Sequence, residues 1–308
     1  MKNKRLIIGS RASSLALAQA ELVKGVLALA YSDLAIDIKT IKTTGDKILD
    51  LALNKIGGKG LFTKEIEEAL LRREIDFAVH SMKDLPTELP RNLKIAAVTK
   101  REDPCDVLIS GQGFNLKTLP QGAKIGTSSL RRRSQLLQLR NDLRVLDLRG
   151  NLETRVKKLE QGLYDAIILA YAGVKRLGLN LKITLITKDE LLPQAGQGAL
   201  GIEVRQDDQE AATLVKVLDD PDTHLCIDAE RALLAGLGGG CQVPIGVYAH
   251  ITESKIFIEA GVFSLDGKLS VKGSMSAEKN NASELGLELS NSLREKGAQK
   301  ILNEVKIC

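Results

Sequence analysis

Three segments of this 308-residue chain bring the same kinds of side chain to the same kind of junction. The first is Gly9-Ser10-Arg11-Ala12-Ser13. The second is Gly126-Thr127-Ser128-Ser129-Leu130-Arg131-Arg132-Arg133. The third is Arg149-Gly150-Asn151, with Arg155 one helical turn further on. Each reads as a strand passing into a helix, with a small residue, hydroxyls or an amide, and at least one Arg at the helix N-terminus. Free N–H groups and the helix dipole favour an anion there. A guanidinium adds a planar fork that grips a carboxylate or phosphate with two hydrogen bonds. The plain alternative is that Ser and Asn only cap helices while Arg faces solvent. For one junction the two readings are balanced; three together, in two domains, favour a shared anion-binding cleft.

Two further segments carry reactive groups. His80-Ser81-Met82-Lys83-Asp84-Leu85-Pro86 follows an expected strand, 76–80, which sets Asp84 beside Lys83 at a strand's carboxyl end. A carboxylate among so many cations stays ionised and is suited to stabilising a developing cation or moving a proton. The alternative is a loop turned by Pro86 with Asp84 as its cap. Gly238-Gly239-Gly240-Cys241-Gln242-Val243-Pro244 presents a cysteine at the exit of a glycine loop. A lone Cys is more often an inert buried hydrophobe, but of Cys105, Cys226, Cys241 and Cys308 only Cys241 has such a loop. The cysteines form no CxxC pair and His80, His224 and His250 are scattered, so neither a metal site nor a disulfide framework is expected. Gly196-Gln197-Gly198-Ala199-Leu200-Gly201 matches GxGxxG, but Pro193 precedes it and a β-like run follows, so no dinucleotide site is read there. No Walker motif is present.

Alternating elements must position these groups. Strands are expected at 5–9, 35–42, 76–80 and 94–98, with helices at 14–30 and 62–73; Leu15, Ala18, Leu22, Val26 and Leu29 mark one face of the first helix. The pattern restarts after 101–104 with strands 124–126, 143–148 and 165–170 and helices 128–139, 151–160 and 172–177. This alternation predicts mostly parallel sheets covered by helices. Strand 199–204 is expected to return to the first domain, giving two crossings and a hinge. Beyond Pro221 come a helix, strands near 245–250, 255–263 and 268–274, and a helical tail, 282–305. The expected fold is therefore α/β: two periplasmic-binding-protein-like domains, 1–99 with 199–217 and 104–194, and a small α+β domain, 220–308. Hydrophobic residues make up 44%, aromatics only 3% and the net charge is +5, a poor balance for a base-stacking nucleic-acid binder. With no apolar stretch near the ~20 residues of a membrane span and no visible signal peptide, a cytoplasmic chain with reduced thiols is expected.

Several blocks, in order, resemble the porphobilinogen deaminase (hydroxymethylbilane synthase) family: GGKGLF (57–62), AVHSMKDLP (78–86), REDP (101–104), GTSSLRR (126–132), LRGN (148–151), DAIILA (165–170), QGALGIE (197–203) and the GGCQVPIG segment around Cys241. The resemblance implies a transferase of tetrapyrrole (heme) biosynthesis. It joins four porphobilinogen units, releases ammonia, and works on a dipyrromethane cofactor held by a thioether, without metal. It implies Cys241 as the anchor and Asp84 as the catalytic carboxylate. Lys83, Asp84, Ser129, Arg131, Arg132, Gly150 and Arg155 would hold the cofactor. Arg11, Ser13, Phe62, Thr127, Ser128, Arg149, Asn151, Arg176 and Gln197 would hold substrate, with Lys55 and Lys59 on a glycine-rich lid. It further implies a monomer without nucleic-acid or membrane partners, handing its product to the next enzyme of the pathway. Ser14 stands where the family commonly has Pro, and Arg133 and Gly238 extend the usual pairs; the extra Arg is expected to face solvent. A two-lobed, non-catalytic anion-binding protein of periplasmic-binding type would share the lobes, hinge and arginines, and would need neither Asp84 nor Cys241. A phosphate-handling enzyme is weakened by the absence of a Walker motif or metal-ligand cluster.

Overall fold

Leu6 and Ile8 are fully buried in β1 (Arg5–Arg11), which leads directly into α1 (Ser14–Ala30). The computed structural model describes residues 5–47, 60–239 and 243–307. The chain divides into two units, Met1–Glu102 with Gly198–His224, and Asp103–Gln197 with Leu225–Cys308.

In the first unit, β2 (Ala35–Ile41), α2 (Thr44–Lys47), α3 (Lys64–Leu71), β3 (Phe77–Ser81) and β4 (Leu93–Val98) follow β1 and α1. In the second, β5 (Asp106–Ile109) and β6 (Lys124–Gly126) precede α4 (Leu130–Leu139). Then come β7 (Arg144–Leu146), α5 (Leu152–Glu160), β8 (Ala166–Ala170), α6 (Tyr171–Arg176) and β9 (Ile183–Ile186). The chain returns to the first unit with β10 (Leu200–Arg205) and α7 (Gln209–Val215). Then α8 (Pro221–Gly236) leads to β11 (Ile245–Thr252), β12 (Lys255–Phe263), β13 (Ser270–Glu278), α9 (Ala282–Glu295) and α10 (Ala298–Ile307).

The first sheet runs β2-β1-β3-β10-β4 and the second β7-β6-β8-β5-β9. In each, the first three strands are parallel and the fourth is antiparallel to both its neighbours. The two sheets thus share one plan, mostly parallel, with a single reversed strand contributed just after the chain changes unit. All six residues of β10 and all four of β5 are buried, as expected for strands covered on both faces. The third sheet, β11-β12-β13, is antiparallel and one-sided: β13 alternates exposed and half-buried residues, while α9 and α10 close a separate core over Val247, Ile258, Leu289 and Leu302. Within the second unit this sheet is tied to the second one by Val247 N–H donating to the Pro193 carbonyl (2.8 Å) and by Gln138 Nε2 donating to Ser270 Oγ (2.9 Å).

The α/β reading and most elements match. Four do not: α2, β5, β9 and α7 have no counterpart in the sequence reading. The expected face of α1 is also wrong. Leu22, Val26 and Leu29 are exposed, Leu29 at 90%, and the buried stripe is Gln19, Ala20, Val23 and Leu27. This helix is apolar nearly all round, so a period of 3.6 residues fits two faces, and packing against the sheet chose between them.

Candidate active site

In the first unit the relevant side chains sit at the carboxyl edge of the sheet. Strands β1 and β3 are parallel neighbours, so Arg11 at one end and Ser81–Asp84 at the other leave the sheet on the same side. Arg11 is half-buried. Its guanidinium pairs with Asp46 (Nε to Oδ1 3.2 Å, with Nη2 closer) and lies 4.2 Å over the Phe62 ring. Thr43 Oγ1 donates to Asp46 Oδ2 at 2.8 Å. Burial alone would raise the Asp46 carboxyl, but Arg11 and Thr43 hold it below the usual carboxylate range. Ser13 caps α1, its Oγ accepting from Ala16 N–H at 3.4 Å.

Beyond β3 the chain makes one turn of 3₁₀ helix, Met82–Asp84. Met82 and Leu85 are buried and anchor this turn; Met82 N–H donates to the Ala199 carbonyl at 3.1 Å. A Cβ at Gly201 on β10 would lie 2.3 Å from Met82 Sδ, so only glycine lets the anchor seat. Lys83 and Asp84, between the anchors, are half-buried. Gln19 Nε2 donates to Ser81 Oγ at 3.0 Å, tying the residue that leads into the turn to α1. Directly before it, His80 Nε2 meets Glu203 Oε2 at 3.0 Å, both deeply buried.

In the second unit the two remaining junctions interlock. Ser128 Oγ donates to the Leu148 carbonyl (2.9 Å) and accepts from Leu148 N–H (3.1 Å), binding the end of β6 to the segment that carries Arg149. Thr127 is buried and its Oγ1 accepts from Ser129 N–H at 3.2 Å. Ser129 and Asn151 cap α4 and α5, accepting from Arg132 N–H at 3.4 Å and Thr154 N–H at 2.9 Å. Gly150 has φ +106°, and a Cβ there would fall 2.7 Å from Thr154 Cγ2, so this cap demands glycine. Arg155 Nε donates to the Gly150 carbonyl at 2.9 Å; Arg149, Arg155 and Arg176 are half-buried, and Arg133 is exposed.

Arg131 and Arg132 differ sharply from these. They are 3% and 6% exposed and share one wholly buried carboxylate, Asp106, at 2.8 Å each. Gln197 Nε2 joins them, donating to Asp106 Oδ1 (2.9 Å) and to the Pro104 carbonyl (2.6 Å). Burial would push the Asp106 carboxyl up, yet the two guanidiniums and the Gln197 amide hold it well below the usual range. Neither Arg Nε has a hydrogen-bond partner, although both are buried. Two cations against one anion leave a net positive charge, a fit for a carboxylate-bearing group.

The structure therefore brings Arg11 and Phe62 together, and Arg131, Arg132 and Gln197 together. Ser13, Ser129 and Asn151 hold helix caps, and Lys55, Lys59 and Cys241 lie outside the described residues. Sequence reading missed Asp46 and Asp106. Asp106 had one signal: a charged residue heading the short apolar run Val107-Leu108-Ile109.

A family model described as "Porphobilinogen deaminase, dipyromethane cofactor binding domain" matches residues 6–213, and one described as "Porphobilinogen deaminase, C-terminal domain" matches residues 224–295. A porphobilinogen deaminase of Chloroherpeton thalassium is 54% identical, with 98% of each chain covered. One of Carboxydothermus hydrogenoformans is 52% identical at the same coverage. Among solved structures, the methionine binding protein MetQ aligns over 70% of this chain and 88% of its own at 14% identity and a TM-score of 0.45, too distant to bear on function. With both domains matched and half of all positions shared along the full length, the chain belongs to the porphobilinogen deaminase family, transferases of tetrapyrrole biosynthesis with a dipyrromethane cofactor.

Proposed function

We propose that this chain condenses four porphobilinogen molecules head to tail into hydroxymethylbilane, with loss of ammonia at each step, on a dipyrromethane attached through the Cys241 sulfur. The observation that carries the reading is the buried Arg131–Arg132 pair, whose positive charge exceeds what Asp106 neutralises, within the domain matched as cofactor-binding. When bound, the dipyrromethane supplies a primer with a free pyrrole carbon for each new ring. Arg131, Arg132, Ser129, Lys83 and Arg155 would hold its carboxylates, with Gly150 letting backbone approach. Ser129 accepts from its helix and still has an O–H to donate.

Asp84 would act on the substrate. Loss of ammonia, pushed by the pyrrole nitrogen, leaves an azafulvenium cation, and a fixed carboxylate stabilises positive charge as it develops. The buried Met82 and Leu85 on either side keep that carboxylate from swinging away. Arg11, Ser13, Phe62, Arg149, Asn151 and Arg176 would take acetate and propionate groups of incoming and attached rings. Lys55 and Lys59 would belong to a lid.

Two other cysteines are poor alternatives to Cys241 as the anchor. Burial and the nearby Asp103 and Asp106 push the Cys105 thiol up to about 12, which denies it a reactive thiolate at neutral pH, and Cys226 is buried. We further propose that the chain works as a cytoplasmic monomer and releases its product to the next enzyme. Among the described residues no helix is long and apolar enough to cross a membrane.

The test is the intact mass of the purified protein. A mass exceeding the sequence by one dipyrrole, mapped to the peptide containing Cys241, is expected, and Cys241→Ser should fold without the adduct and without activity. Activity at unmodified mass, or an adduct on Cys105, Cys226 or Cys308, would overturn the assignment.

A further inference from the structure

Arg131 and Arg132 occupy the first turn of α4, the end at which the helix dipole disfavours cations. They are also removed from water side by side. Such a placement is stable only if something organises and partly neutralises it. Each guanidinium is held the same way. Arg131 gives Nη1 to the Leu192 carbonyl (2.7 Å) and Nη2 to Asp106 Oδ2 (2.8 Å). Arg132 gives Nη1 to the Ile168 carbonyl (2.9 Å) and Nη2 to Asp106 Oδ1 (2.8 Å). In both, Nε alone stays unpartnered. Gln197, anchored on the Pro104 carbonyl, gives a further hydrogen bond to Asp106 Oδ1 and limits its rotation.

We infer that Asp106 is a positioning residue: it fixes the Arg131–Arg132 pair in one orientation and cuts its charge to a single positive unit, so that the pair accepts one carboxylate of the dipyrromethane. Asp106 need not touch the cofactor; it acts through the arginines. Without it the two guanidiniums would repel each other and turn toward other acceptors, and the two Nε–H groups would no longer point in a fixed direction. This inference rests on the proposed function.

The experiment uses full-length chain produced in a host unable to make porphobilinogen, then exposed to porphobilinogen, with the adduct followed by intact mass over time. Wild-type chain that gains no adduct would sink the proposed function itself. With wild type loading, folded Asp106→Asn should load at least about tenfold more slowly, as loss of a residue that orients ligand groups typically costs. Gln197→Ala, which keeps the carboxylate but frees its rotation, should load more slowly by a smaller factor. Leu116→Ala, a core truncation elsewhere in the second unit, serves as a stability control and should load at the wild-type rate despite a lowered Tm. Wild-type loading by folded Asp106→Asn would overturn the inference, as would equal slowing in Leu116→Ala at equal loss of Tm. If Asp106→Asn does not fold, Gln197→Ala decides: wild-type loading by that variant overturns the inference, and slowed loading supports it.

Discussion

Asp84 shows how a single carboxylate is fixed without a large network. Its neighbours Met82 and Leu85 are core residues, and the short 3₁₀ turn gives the side chain between them little freedom. Asp84→Asn keeps the shape and removes the charge, so kcat should fall about 10²–10³-fold while the fold survives; near-normal turnover would exclude a charge-stabilising role. Glu67, which senses the charges of Glu203 and His80, has a different sensitivity. Burial pushes the Glu67 carboxyl up; Thr63 opposes this and the Glu203 charge adds to it. A carboxyl whose folded value is raised stabilises the fold below its unfolded value, and that contribution is lost as pH rises through the folded value. Glu67→Gln should therefore gain stability relative to wild type as pH is raised from about 4 toward 8, read as a growing Tm difference. A difference constant with pH would show that Glu67 holds no displaced proton.

Among the elements, the helix N-termini do two jobs. Ser13, Ser129 and Asn151 satisfy orphan N–H groups, which is a folding task, and in doing so set the angle at which Arg11, Arg131, Arg132 and Arg155 leave the chain. Ser128 links two of these junctions through its paired hydrogen bonds with Leu148. Gly150 is a point at which these junctions are sensitive to a single added carbon. Its positive φ and the nearness of Thr154 make Gly150→Ala cost about 1–3 kcal/mol, measurable as a lowered midpoint in urea. Because Arg155 bonds the Gly150 carbonyl, turnover should drop beyond what lost stability explains. Unchanged stability would show that the left-handed cap relaxes freely.

The whole molecule divides its cations by environment. Arg131 and Arg132 are buried and locked to Asp106, whereas Arg149, Arg155 and Arg176 are half-buried on later segments of the same unit. Locked donors suit a permanent guest, and accessible ones suit a chain that grows and leaves. Arg132→Lys should accordingly impair cofactor loading, since a single ammonium nitrogen lacks the fork that spans the Ile168 carbonyl and Asp106 here. Arg149→Lys and Arg176→Lys should load normally and stall during elongation, with intact mass spectra showing chains of intermediate length. Loading defects in all three, or stalled chains from Arg132→Lys, would remove the distinction.

Much of this was legible in residue order. Alternating strand and helix periods marked the α/β class, the three Arg-bearing junctions stood out by type and spacing, and motif blocks from Arg11 to the glycine loop carried the family. These are local properties, written in neighbouring residues. The strand β5 escaped because four buried residues give no periodicity, β9 because four residues are too few to display one, and the face of α1 was misread because apolar residues surround it. Asp106 escaped for a stronger reason. Its partners lie 25, 26 and 91 residues away, and nothing in the sequence says which of many acids meets a given arginine. Residue order thus determined which groups are available and on which kind of element. Folding alone decided which arginines are withdrawn from water around a shared carboxylate and which stay accessible, because burial and ion pairing arise only when distant segments meet.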